Sequence, residues 1–246
     1  IMMKQVDSRA GATEKLARFV TETSYNALSA EVVAAAKVGI LDGIANMLAG
    51  ATQPLAAIVG AYLKQLGGNP QCAVVGQDFR TNAPSAAFAN GIFLHCLDYE
   101  IQGQPVAHGT SNILPPALAL AEMSGASGTR LIEAYVIGWE INARLRKASV
   151  GCDTRGYHPP GLIGPLAGAA ASARILGLDA AGVRMALGIA ASHTGGLTAN
   201  TGTMVKSTHP GNAGRTGGES ALLAQAGFES RDGILEASRG FVETLF

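Results

Sequence analysis

PPGLIGPLAGAAASARILGL, residues 159–178, is the most apolar stretch in the later part of the chain. Gly161, Gly164, Gly168 and Arg174 interrupt it. It therefore reads as a helix buried inside protein, not as a bilayer span. The segments around it carry the same helical period. Asp179 is a suitable N-cap for a helix over 180–191, whose apolar face carries Val183, Ala186, Leu187 and Ala190. Upstream, Ser29 opens a helix with Glu31 in its first turn, where the helix dipole favours an acid. That helix carries Val32, Val33, Ile40, Ile44 and Leu48 and stops at Gly50.

Further helical patterns cover about 12–22, 54–66, 84–98, 113–123, 129–148, 162–176 and 218–226. Pro115 and Pro116 suit a first helical turn. Residues 72–75 are the one β-like run, too short and solitary to propose a sheet. No charge block or low-complexity linker divides the chain. The reading is all-α: one large domain, residues 1–246, of roughly eight to ten helices.

Composition agrees. Of 246 residues, 48% are hydrophobic and 15% charged, which excludes a disordered chain. The 18 basic residues balance the 18 acidic ones. This removes the positive footprint of a nucleic-acid binder and any steering toward a membrane surface. Low charge with 32 glycines suggests close helix packing and a buried subunit interface. Cys72, Cys96 and Cys152 are isolated, so neither a disulfide framework nor a thiolate zinc site is expected, and a reducing, cytoplasmic location fits. Residues Ile1 to Asp7 show no signal-peptide run.

The polar chemistry gathers in three connections, 100–112, 151–161 and 191–217. Connections this long in a compact helical domain are usually functional. Of the five histidines, His108, His158, His193 and His209 fall in them, and His95 lies just before the first. No metal motif is present. His95 and Asp98, one turn apart on the expected helix, read as a capping carboxylate with a hydrogen-bonded histidine rather than a metal pair. No nucleophile elbow exists. The glycine-rich run 211–218 lacks the Gly-Lys-Ser/Thr of a phosphate loop. It reads equally as a helix N-terminus with Arg215 holding a carboxylate and as a flexible helix entry. Lys206 and His209, three apart on a loop bounded by Gly and Pro, fit general acid–base chemistry best. A lysine held near apolar surface has its ammonium disfavoured, which makes it a usable base or acid.

Four segments then carry a resemblance. Residues 42–50 (DGIANMLAG), 89–98 (ANGIFLHCLD), 157–160 (YHPP) and the Lys206-x-x-His209-x-Gly211-Asn212-Ala213 run are similar to the MmgE/PrpD superfamily of dehydratases, decarboxylases and epimerases. The resemblance spans nearly the whole chain, in order. It implies a large helical domain and homodimers. It also implies lyase or isomerase chemistry on a small di- or tricarboxylate, with no cofactor and no metal. Asp98, His108, His158 and Lys206 match the family's acidic, histidine and lysine positions, and His209 and Asn212 sit in the lysine motif. Gln102 stands where the family has threonine. On this reading Lys206 and His209 transfer protons and Asp98 orients a histidine. His108, His158, Arg215, Gln102 and Asn212 meet the substrate and the enolate-like charge. The family's smaller α+β domain is expected to lie outside this sequence. The alternatives are a truncated, inactive carboxylate-binding or oligomerisation module, and one half of a split enzyme whose small domain is a separate chain.

Overall fold

The computed structural model describes residues 11–246; the signal-peptide reading at Ile1 to Asp7 lies outside the described residues. Ten α-helices follow in order: α1 (Ala12–Glu22), α2 (Ala30–Gly50), α3 (Pro54–Leu66), α4 (Ala83–His95), α5 (Thr110–Ser124), α6 (Gly128–Ala148), α7 (Pro159–Leu176), α8 (Ala180–Ala191), α9 (Val205–Gln225) and α10 (Phe241–Leu245). Between α3 and α4, β1 (Cys72–Ala73) and β2 (Arg80–Thr81) pair antiparallel, Cys72 opposite Thr81. The β-like run is thus half of a two-residue ribbon. It has no apolar face large enough to grow into a sheet.

The predicted caps hold. Ser29 accepts from the Val32 amide at 3.3 Å and Asp179 from the Gly182 amide at 2.8 Å. Asn82 and Ser127 cap α4 and α6 in the same way. Gly125 and Gly177 end α5 and α7 in the left-handed conformation that costs other residues more.

Helix α7 is the axis of the domain. Every residue from Pro160 to Ala173 is buried, with Leu162, Ile163 and Leu166 fully so. It packs against α5, α6, α8 and α9. Two expectations are corrected here. Helix α5 starts at Thr110, so Pro115 and Pro116 lie past its first turn. The segment 205–217, expected as part of a long connection, is the first half of α9. Glycine disfavours an isolated helix by about 1 kcal/mol per residue. Here the glycines are the contacts. A Cβ on Gly211 would sit 2.8 Å from the Phe88 carbonyl oxygen of α4, and one on Gly217 would sit 2.6 Å from the Gly168 carbonyl carbon of α7. Helix α9 is pressed between α4 and α7, and close backbone packing overrides local propensity.

Helix α2 is, among the described residues, the one helix long and apolar enough to cross a bilayer by length and composition, with mean hydropathy 1.6. Its Ala36, Gly39, Gly43 and Met47 face is buried, Gly39 against Tyr135 of α6 and Gly43 against Leu114 of α5. Val38, Leu41 and Leu48 remain exposed, continuous in type with Ile58 and Tyr62 on α3.

Candidate active site

The C-terminal end of α4 meets the N-terminal ends of α5, α7 and α9. Three positive helix-dipole ends converge there, a setting that favours anions. Helix α4 ends at His95, not at Asp98 as the sequence pattern suggested. Asp98 takes φ 60°, a conformation that costs a residue with a Cβ roughly 1–2 kcal/mol. Its carboxylate reaches back to Lys206 Nζ at 2.7 Å. The same oxygen lies 3.3 Å from His108 Nε2 and 3.9 Å from His95 Nε2. Burial pushes the Asp98 carboxyl up, but the bond and charge of Lys206 outweigh it, and the group sits below its usual range. Lys206 therefore faces a carboxylate from the first turns of a helix. The loop lysine against apolar surface, expected from sequence, is not what the fold builds.

A second carboxylate lies deeper. Glu100 is fully buried and places Oε1 2.7 Å from His95 Nδ1 and 3.3 Å from His108 Nδ1. Its Oε2 accepts the Ser111 amide of α5 at 2.8 Å. Burial alone would raise this carboxyl; contact with His108 and His95 reverses the effect and holds it at about 2. Gln102 brings its side-chain amide within 3.2 Å of His108 Nε2, at an isolated bridge between the two backbones.

The remaining histidines pair with each other. His158 precedes the first turn of α7, and its Nδ1 is 3.0 Å from His209 Nδ1. One ring must donate and the other accept, so the pair shares a proton. Burial, then the charges of His95, His209 and Lys206, lowers His158 to about 3. Burial also lowers His209, followed by the charges of His95 and Lys206. Both shifts favour the neutral ring. Ring centroids run 4.8 Å from His108 to His95, 5.8 Å from His95 to His158 and 5.1 Å from His158 to His209. Four histidines thus form one continuous row. Beside them opens a cavity of about 470 Å³ walled by His95, Cys96, Asp98, Lys206, Leu55 and residues 201–204. A separate cavity of about 410 Å³ lies between α2 and α6, apolar, with Tyr135, Trp139 and Ile101 in its wall.

By geometry His95, Asp98 and His108 offer three ligand atoms within 4.8 Å of one another. The Asp98 oxygen nearest both rings is the one that Lys206 binds, so a resident cation already occupies that corner. The donor set suits an ammonium as well as a metal.

Of the residues singled out from sequence, the fold brings together Asp98, Gln102, His108, His158, Lys206 and His209. It does not bring in Arg215. That residue is nine positions beyond Lys206 on the same helix, about 13 Å along the axis. Its guanidinium bonds Glu219 at 2.9 Å. Asn212 is exposed on α9 and, among the described residues, bonds to no member of the row. His193 bonds the Ile189 carbonyl at the end of α8. Sequence reasoning missed Glu100 and left His95 without a site role. The available signal was weak: Glu100 is the single acid in the connection 100–112.

An almost wholly helical architecture, with a cleft of acids, histidines and a lysine built from helix ends, defines the class: an all-α domain with a polar site at its helix termini. The chain matches the MmgE/PrpD N-terminal domain over residues 14–246 and belongs to that family. It is 34% identical over 236 residues to cis-aconitate decarboxylase of Homo sapiens, covering 93% of this chain and 49% of that protein. It is 30% identical over 249 residues to cis-aconitate decarboxylase of Aspergillus terreus, covering 98% and 51%. The chain thus spans about half the length of the curated relatives it matches.

Proposed function

We propose that this chain is the helical part of a lyase that decarboxylates a small tricarboxylate of the cis-aconitate type by acid–base chemistry without a cofactor. The observation that carries this reading is the Lys206–Asp98 ion pair at 2.7 Å beside a row of four histidines, of which His95 lines the cleft. Among dehydration, decarboxylation and epimerisation, the names of the relatives, cis-aconitate decarboxylases, support decarboxylation.

Helix N-termini and the Lys206 ammonium bind the substrate's carboxylates. The bond from carbon to the departing carboxylate breaks, and its electron pair forms a new C=C. The pair of the former C=C takes up one proton at the neighbouring carbon, and carbon dioxide leaves. Lys206 donates that proton. Lys206 and His209, three apart on α9, share a helix face, and the neutral His158–His209 pair passes a proton back from water. Asp98 holds the ammonium in place, with His108 beside it and Gln102 bonded to His108.

Mass spectrometry of purified chain with cis-aconitate, methylcitrate and substituted succinates tests this, with and without a chain carrying the family's second domain. Carbon dioxide release from cis-aconitate is expected. Lys206→Ala is expected to lower it by at least about 100-fold. Full turnover by that variant sinks the lysine assignment. Activity only with the second chain present identifies the split-enzyme arrangement, and ligand binding without turnover in either case identifies a binding module.

The partner we propose is a second copy of the chain. The exposed apolar residues Val38, Leu41 and Leu48 of α2 form a face suited to a subunit seam, not to a bilayer, because the opposite face of α2 is built into the domain. Sedimentation of Leu41→Glu as a monomer, against a dimeric parent, is the expected result. The three free cysteines fit work in the cytoplasm.

A further inference from the structure

The buried end of the histidine row holds two unpartnered ring atoms, His95 Nε2 and His108 Nδ1. His95 Nε2 is buried, has no hydrogen-bond partner and belongs to a ring in the cleft wall beside Asp98 and Lys206. An unpaired buried acceptor or donor costs about 1–3 kcal/mol unless something meets it. Its counterpart Nδ1 is held at 2.7 Å by Glu100. Glu100 has no other freedom. Its second oxygen is taken by the Ser111 amide at 2.8 Å, a donor that the first turn of α5 presents and that no other group in the helix can satisfy.

We propose that Glu100 is the positioning residue of the cleft. It fixes the His95 proton on Nδ1 and thereby turns a bare Nε2 acceptor toward the substrate. A carboxylate is acceptor-only, so the ring nitrogen facing it must carry the proton. The other nitrogen of a neutral ring is then unprotonated. The same Oε1 lies 3.3 Å from His108 Nδ1, so the one buried charge faces both rings at this end of the row while its hydrogen bond goes to His95. His95 thus adds an acceptor to a cleft whose other polar groups on that side are the Lys206 ammonium and the Asp98 carboxylate. The assignment deepens the acid–base reading of this site, yet its test needs no substrate.

The test is the tautomer of His95, read from two- and three-bond nitrogen–proton correlations of the full chain at mildly alkaline pH, assigned with His95→Gln. In the parent protein, Nδ1 is expected to be protonated and Nε2 bare. Glu100→Gln should reverse this. Gln has one oxygen, and the Ser111 amide, which can only donate, claims it. The NH2 group then faces His95 Nδ1, which must accept, and the ring proton moves to Nε2. An unchanged His95 tautomer in folded Glu100→Gln overturns the proposal. So does an Nε2-protonated ring in the parent, a result that stands even if the variant fails to fold. A fold-only role for Glu100 would alter the melting temperature and leave the tautomer where it was. Failure of cis-aconitate turnover in the parent would count against the proposed reaction and leave this spectrum unaffected.

Discussion

Replacing Gly161 by alanine tests whether the site is held by backbone-to-backbone contact. Gly161 lies in the first turn of α7, and a Cβ there would sit 1.9 Å from the Gly195 carbonyl oxygen and 3.3 Å from His209 Cβ. Ordinary carbon–oxygen contact begins near 3.3 Å, so the strand of loop at 195–196 must retreat by about 1.4 Å. Two backbone hydrogen bonds pin that loop. The Gly195 amide donates to the Gly161 carbonyl at 3.0 Å, and the His158 amide donates to the Gly196 carbonyl at 3.0 Å. Losing both costs about 1–3 kcal/mol, and overpacking adds a similar amount. Helix propensity returns at most about 1 kcal/mol. The net is about 1–5 kcal/mol, or a fall in Tm of roughly 2–20 °C for a chain of this size. The His158–His209 pair rides on the same contact, so turnover should fall about 100-fold, as a 1 Å misplacement typically causes. Calorimetry and carbon dioxide release measure the two effects. Gly128→Ala is the control, because a Cβ there meets nothing within 4 Å. If Gly161→Ala melts within about 2 °C of the parent, the close-approach argument is refuted.

Below neutrality the pH dependence follows from two buried groups with large shifts, Glu100 and His158. Glu100, held at about 2 against 4.5 in an open chain, contributes stability that is complete above about 4.5 and is lost as pH falls toward 2. The amount is about 3 kcal/mol. His158, lowered from 6.5 to about 3, acts in the same direction, its contribution eroding as pH falls from 6.5. Urea unfolding should weaken steadily from pH 6.5 downward; a flat profile from 6.5 to 3 contradicts both assignments. Arg215→Ala should leave turnover within about threefold of the parent, because Glu219 and distance separate it from the cleft. A larger loss would restore the role read from sequence. Glu133 accepts the Tyr25 amide at 2.6 Å and bonds both Arg130 and Arg174, nearly buried. Glu133→Ala should cost about 3–5 kcal/mol by stranding Arg174, visible as a large drop in Tm without a change in substrate preference.

Local sequence was enough for most of the fold. The apolar run at 159–178, the caps at Ser29 and Asp179 and the terminating Gly177 each act within one or two turns, so the helices they define could be read without neighbours. Lys206, Asp98, His108, His158 and His209 were legible as candidates because charged and imidazole groups are scarce in this chain. Their geometry was not. Whether 205–217 is loop or helix depends on Gly211 and Gly217 meeting the backbones of α4 and α7, partners more than forty residues away. Arg215 looked suitable by type and fell on the wrong part of α9 once that segment became helical. Glu100 looked like one loop acid and became the buried anchor of two histidines only when α4 and α5 closed around it. Residue chemistry and short-range periodicity reside in the sequence. Burial, which sets both the charge state of a side chain and the cost of leaving it unpaired, is decided by the tertiary structure alone.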